Sequence, residues 1–163
     1  MNSFVTRTAG IERYIPHRPP MQLVERLVSG EERRVVVASS IAHDNAFFDP
    51  ALNGVPAWAG IEFMAQTAAV WVGLEDERLG REVRPAFLIS SRQYNAFVPV
   101  FDVGAELEIT VDVSMVEDPV VAFKGRIAQT NGTEGERLLA EAIFSAFRPE
   151  DYKNYLSASE PTG

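Results

Sequence analysis

From Glu106 to Met115 apolar and polar residues alternate without a break. Leu107, Ile109, Val111, Val113 and Met115 fall on one face, and Glu106, Glu108, Thr110, Asp112 and Ser114 on the other. That period of two predicts a half-buried antiparallel strand. Less regular signals predict strands over 21–28, 33–42, 86–94, 120–129 and 136–147, with turns at Gly30 with Glu31 and Glu32 and at Asn131-Gly132. The pattern changes between Ala57 and Leu74. There nearly every residue is small or apolar, including Trp58, Ile61, Phe63, Met64, Ala68, Ala69, Val70, Trp71 and Val72. Apolar positions circle this helix rather than forming one stripe, so it is expected to be buried on most sides, Trp58 and Trp71 with it. Its polar flanks, and Glu62, Gln66 and Thr67 within it, do not suit a membrane span.

Between the strands lie irregular stretches. A short helical turn is expected over 11–16, after a poorly ordered N-terminal segment over 1–10. The prolines around His17 (Pro16, Pro19 and Pro20) force an extended or turned backbone. The run HDNAFFDPALNGVP, 43–56, reads as a loop whose Phe47 and Phe48 tuck it against the core. One helix between strand pairs suits a single antiparallel sheet of about five or six strands curled around that helix, an α+β domain over 1–148. Residues 149–163 read as a frayed polar tail. A doubly wound fold is excluded, because helices and strands do not alternate.

Composition narrows the function. A net charge of -8 argues against nucleic acid, which needs clustered Lys and Arg, and gives no sign of a membrane-surface protein. With no cysteine, thiolate catalysis, disulfides and Cys-based metal sites are excluded. His17 and His43 are the two histidines and do not form a ligand-spaced pair, so no metal and no cofactor is expected. The N-terminus lacks a long apolar run, and a cytoplasmic location is the expectation.

Glu62 is the chemical anomaly, a carboxylate inside an apolar helix that is costly to bury unpaired. Two readings are open: a structural acid bonded to the loop above it, or a reacting group. Gln66 lies one turn on, on the same face, either as an internal hydrogen-bonder or as a substrate contact. Trp58, near the helix start, is a candidate to shape a substrate pocket. Arg92 and Arg126 are either solvated charges or contacts to an anionic partner.

Four stretches together carry a resemblance: IPHRPPMQLVERLV (15–28), DNAFF (44–48), GIEFMAQ (60–66) and FVPVFDVGAELEITVDV (97–113). In this order they resemble the hotdog-fold beta-hydroxyacyl-acyl-carrier-protein dehydratases, and more closely the dehydratase-like subunits of aryl polyene pathways. The resemblance implies a hotdog domain and a dimer, either of identical chains or with a dehydratase paralogue, its sheet continuous across the interface. It also implies an acyl carrier protein as partner, with 3-hydroxyacyl thioesters as substrates. Eliminating water from such a thioester needs a base for the α-proton and an acid for the leaving hydroxyl.

Glu62 matches the family's acid. Trp58, Gln66 and Phe48 fall where substrate contacts are expected. The family's loop histidine has no counterpart, since DPALNGV (49–55) stands in its place. Three candidates fill the gap: His17 as base, His43, or a histidine of a second, paralogous subunit. A hotdog thioesterase using Glu62 alone, and a non-catalytic partner subunit, are the competing functions.

Overall fold

The structure, a computed structural model, describes residues 3–5 and 10–150. Strand β1, Ser3–Val5, pairs with β2, Arg26–Glu31, which pairs with β3, Arg34–Ser40. Next come β4, Gly54–Pro56, a 3-10 turn over Ala57–Ala59, and the helix α1, Gly60–Arg78. After α1 follow β5 (Phe87–Ala96), β6 (Val100–Asp102), β7 (Glu106–Glu117), β8 (Val120–Gln129) and β9 (Arg137–Phe147). Seven strands form one sheet in the order β1-β2-β3-β7-β8-β9-β5, every pairing antiparallel. Phe63, Met64 and Trp71 of α1 pack against Val35, Ile109, Phe123 and Phe144 of the sheet in one core. The hotdog expectation holds, with more strands than the alternation signals had promised.

The departures have local causes. Met21–Glu25 is not a strand. The Leu23 N–H donates to Gln66 Oε1 at 2.8 Å, the Met21 carbonyl accepts from Gln66 Nε2 at 2.8 Å, and the Leu23 carbonyl accepts from Ser39 Oγ at 2.5 Å. At Met21 and Leu23 side chains satisfy the groups that a ladder would otherwise take, while the Glu25 N–H bonds the Ala38 carbonyl of β3. Gly30 lies inside β2, facing Leu74, and the turn falls later, between β2 and β3. The loop over 43–56 ends in β4, which pairs with β6 as a separate two-stranded ribbon.

In β7 the inward alternation runs from Leu107 to Val113. A register shift before Met115 then leaves Met115 46% exposed, so it does not share their face. Ser3–Val5 is strand rather than disordered. The rest of the expected N-terminal disorder and most of the 149–163 tail lie outside the described residues. The helix ends against a buried ion pair, Asp76 with Arg84, and Arg148 pairs with Glu75 and Asp118 while its guanidinium lies over the Trp71 ring.

Candidate active site

The helix is not buried all round. Trp58, Ile61, Glu62 and Ala65 are the positions of its first half that the chain leaves partly or wholly uncovered, and they follow the i, i+3, i+4, i+7 rule of one helix face. Trp58 is 64% exposed, which corrects its reading as core. The indole meets the half-buried Phe47 edge to face, with ring centroids 5.5 Å apart. Trp71, on the covered side, is core as expected, and its Nε1–H donates to the Glu32 carbonyl at 3.1 Å.

Glu62 lies one turn from Trp58 on this open face. It is half-buried and makes no hydrogen bond or ion pair among the described residues. A structural acid would be bonded to the loop above it, and Glu62 is not.

Above it, the start of the helix is bare of caps. Neither N-cap residue, Pro56 for the 3-10 turn or Ala59 for α1, makes a side-chain cap hydrogen bond. Helix geometry leaves the first N–H groups, at Trp58 and Ala59, without a partner inside the helix. Such groups carry partial positive charge and suit a carbonyl oxygen that gains negative charge.

Other elements fix this turn. The Ala57 N–H donates to the Pro99 carbonyl at 3.1 Å, extending the β4–β6 ribbon. The Tyr94 hydroxyl of β5 donates to the Ala57 carbonyl, which also takes the Gly60 N–H. Burial pushes the Tyr94 hydroxyl up to about 12, with the Gly60 N–H acting in the opposite direction. Nothing in the sequence singled out Tyr94; one aromatic in a strand is ordinary.

Gln66 is fully buried, and both ends of its amide are engaged with Met21 and Leu23. It is an internal tie rather than a substrate contact, which corrects that expectation. The tie holds the proline-rich strap along α1. The strap runs antiparallel to the helix, with Tyr14 packed on Gly73 at one end and Met21–Leu23 on Gln66 at the other.

His17 stands between those anchors, while Glu62 lies one turn, about 6 Å, beyond the Gln66 anchor. No hydrogen bond or ion pair joins His17 to Glu62 among the described residues. His17 Nδ1 is buried and has no hydrogen-bond partner among the described residues. His43 is exposed, its ring resting on Phe48 at 4.9 Å between centroids. Phe48 is half-buried in this loop contact. The structure thus gathers Trp58, Glu62 and the bare helix start on one open face, and leaves both imidazoles apart from the acid.

Residues 9–157 match the ApeP-like family, described as ApeP dehydratase. The chain belongs to this family. ApeP-like membership agrees with the curated relatives. The 3-hydroxyacyl-acyl-carrier-protein dehydratase FabZ of Cereibacter sphaeroides (strain KD131 / KCTC 12085) is 34% identical over 141 residues, 83% of this chain and 86% of that protein. FabZ of Anaeromyxobacter sp. (strain K) is 29% identical over 143 residues, 84% of this chain and 86% of that protein.

Among solved structures, a chain of the dehydratase heterocomplex ApeI:P from Xenorhabdus doucetiae superposes with a TM-score of 0.81. It is 22% identical and covers 94% of this chain and 100% of its own length. A hypothetical thioesterase from Streptococcus pneumoniae TIGR4 shares the fold at a TM-score of 0.57 and 15% identity, over 76% of this chain and 84% of that one. The chain is a dehydratase-like hotdog subunit. No helix among the described residues is long and apolar enough to cross a membrane.

Proposed function

We propose that this chain is one half of a dimeric dehydratase acting on 3-hydroxyacyl thioesters carried by an acyl carrier protein. The observation that carries this reading is the unpartnered Glu62 carboxylate on the uncovered Trp58–Ala65 face, directly below the uncapped helix start.

The thioester carbonyl sits at the Trp58 and Ala59 N–H groups, which take up its developing negative charge. A base removes the proton on the carbon next to that carbonyl. The C–C double bond forms as the C–O bond at the next carbon breaks. Glu62 supplies the proton that the departing hydroxyl takes up, and water leaves. The base's proton then returns to Glu62, so the cycle is neutral.

The base comes from a second subunit, a reading supported by the lack of any hydrogen bond or ion pair from His17 or His43 to Glu62 among the described residues. Strand β5 is suited to receive that subunit. Among the described residues it pairs only with β9, and its residues 88–93 are exposed, including Leu88 and Ile89 beside Ser90, Ser91, Arg92 and Gln93. A bare sheet edge that exposes large apolar side chains is ordinarily covered. The ApeI:P structure, solved as a heterocomplex, supports a paralogous partner over a second copy.

The test is dehydration of a 3-hydroxyacyl-carrier substrate by this chain alone, by the chain with a paralogous dehydratase subunit, and by both with Glu62→Gln or His17→Ala. Turnover is expected only with the paralogue, lost with Glu62→Gln and kept with His17→Ala. Thioester hydrolysis without dehydration would overturn the reading in favour of a thioesterase. Full activity with Glu62→Gln would leave the chain a scaffold.

A further inference from the structure

Tyr94 reaches the helix start from a strand that otherwise lies outside the core. Residues 88–93 of β5 are exposed, and Tyr94 is the point where the strand turns a side chain inward beneath α1. Its hydroxyl and the Gly60 N–H share the Ala57 carbonyl. Gly60 makes room for this contact. A Cβ there would collide with Tyr94 Oη and come within 3.1 Å of Phe101 and 3.2 Å of Ile127. Ala57 directly precedes Trp58, so whatever fixes the Ala57 carbonyl plane fixes the direction of the Trp58 N–H, the other half of the same peptide unit.

We infer that Tyr94 is a positioning residue: by holding the Ala57 carbonyl, its hydroxyl aims the Trp58 N–H and the Trp58 indole over Glu62, and it links that aim to the edge strand. The inference rests on the dehydratase reading for its kinetic consequence but not for its structural one. The hydroxyl stays protonated, and therefore a donor, at any working pH, because its pKa is about 12. It acts as a fixed strut and not as a proton carrier. Glu62 itself is the third residue of α1 and is carried by the helix, so Tyr94 should act on the carbonyl-binding N–H groups rather than on substrate capture.

The test uses Tyr94→Phe, which removes one oxygen and keeps the ring. With the chain paired to a dehydratase paralogue, kcat is expected to fall about tenfold while KM stays within about twofold, the pattern of an interaction made in the transition state. In a Trp71→Phe background, acrylamide quenching of the single remaining indole reports on Trp58, and Tyr94→Phe should change its quenching constant.

A second variant checks the same contact from the other side. Gly60→Ala should cost less kcat in the Tyr94→Phe background than in the parent, because the oxygen it collides with is gone. Unchanged kcat together with unchanged Trp58 quenching in Tyr94→Phe would overturn the inference, as would strict additivity of the two substitutions. If the parent complex does not dehydrate at all, the dehydratase reading fails, and the quenching comparison alone decides whether Tyr94 holds the turn.

Discussion

The guanidinium of Arg84 lies against the carboxylate of Asp76, with Nη2 2.9 Å from Oδ1, while the Arg84 backbone N–H donates to Oδ2 at 3.0 Å. Both residues are buried, and the hydrogen bond to Asp76 is the largest cause that raises the Arg84 guanidinium above its ordinary value. The pair ties the end of α1 to the segment entering β5. Removing one partner strands a charge in the interior. Asp76→Ala or Arg84→Ala is therefore expected to cost about 3–5 kcal/mol, and replacing both with apolar residues of similar volume much less. Urea unfolding of the three variants measures the difference.

Gln66→Leu keeps the side-chain volume but orphans the Leu23 N–H and the Met21 carbonyl. A loss of about 2–4 kcal/mol is expected, roughly 1–3 kcal/mol from the buried Leu23 N–H and about 1 kcal/mol from the Met21 carbonyl, whose contact is only part-buried. Hydrogen exchange of the Leu23 amide should quicken far more than exchange in β7 or β8, because the strap detaches locally. Equal quickening throughout the sheet would show that Gln66 supports the whole fold instead.

Glu62→Gln separates stability from chemistry. The carboxylate has no hydrogen bond or ion pair among the described residues, so unfolding free energy should change by less than about 0.5 kcal/mol, as for substitutions away from buried networks. Dehydration by the paired protein should drop by about 100-fold or more, the usual size of an acid–base contribution. A large stability loss would mark Glu62 as a structural acid.

Tyr94 adds a pH dependence on the alkaline side. Its folded pKa is about 12 against an ordinary 10.0, so folding favours the protonated hydroxyl. The stabilisation is fully present below pH 10 and is lost as pH rises through 12. Tyr94→Phe should flatten the fall in stability across that window. Chemical denaturation of both proteins between pH 9 and about pH 12 measures it.

Much of this architecture could be read along the chain. The alternation in 106–113, the Val-rich 33–42 run and the apolar helix each follow from burial with one period, and each formed. Glu62 stood out because a charge in an apolar run has no cheap explanation.

The misses share one cause: they depend on what lies opposite a residue. Trp58 reads as core by composition, and only the placement of the sheet reveals that its side of α1 is open. The stretch 21–25 reads as strand, yet the amide of Gln66 and the hydroxyl of Ser39, distant in sequence, claim its backbone. Met115 continues the alternation in letters, while a bulge turns it out to solvent. The contact of Tyr94 with Ala57 spans 37 residues, beyond the reach of any local pattern.

The clamp on the helix start also sets an order of assembly. Ala57 is held by Tyr94 and Pro99, and Gly54–Pro56 by Val100–Asp102, all of them downstream in sequence. A chain made from its N-terminus completes α1 before any of these restraints exists. Closing such long loops is entropically slow relative to helix formation. The helix thus closes its own hydrogen bonds from residues already made, while the short turn on which the proposed chemistry depends cannot take its shape until residues 94–102 exist.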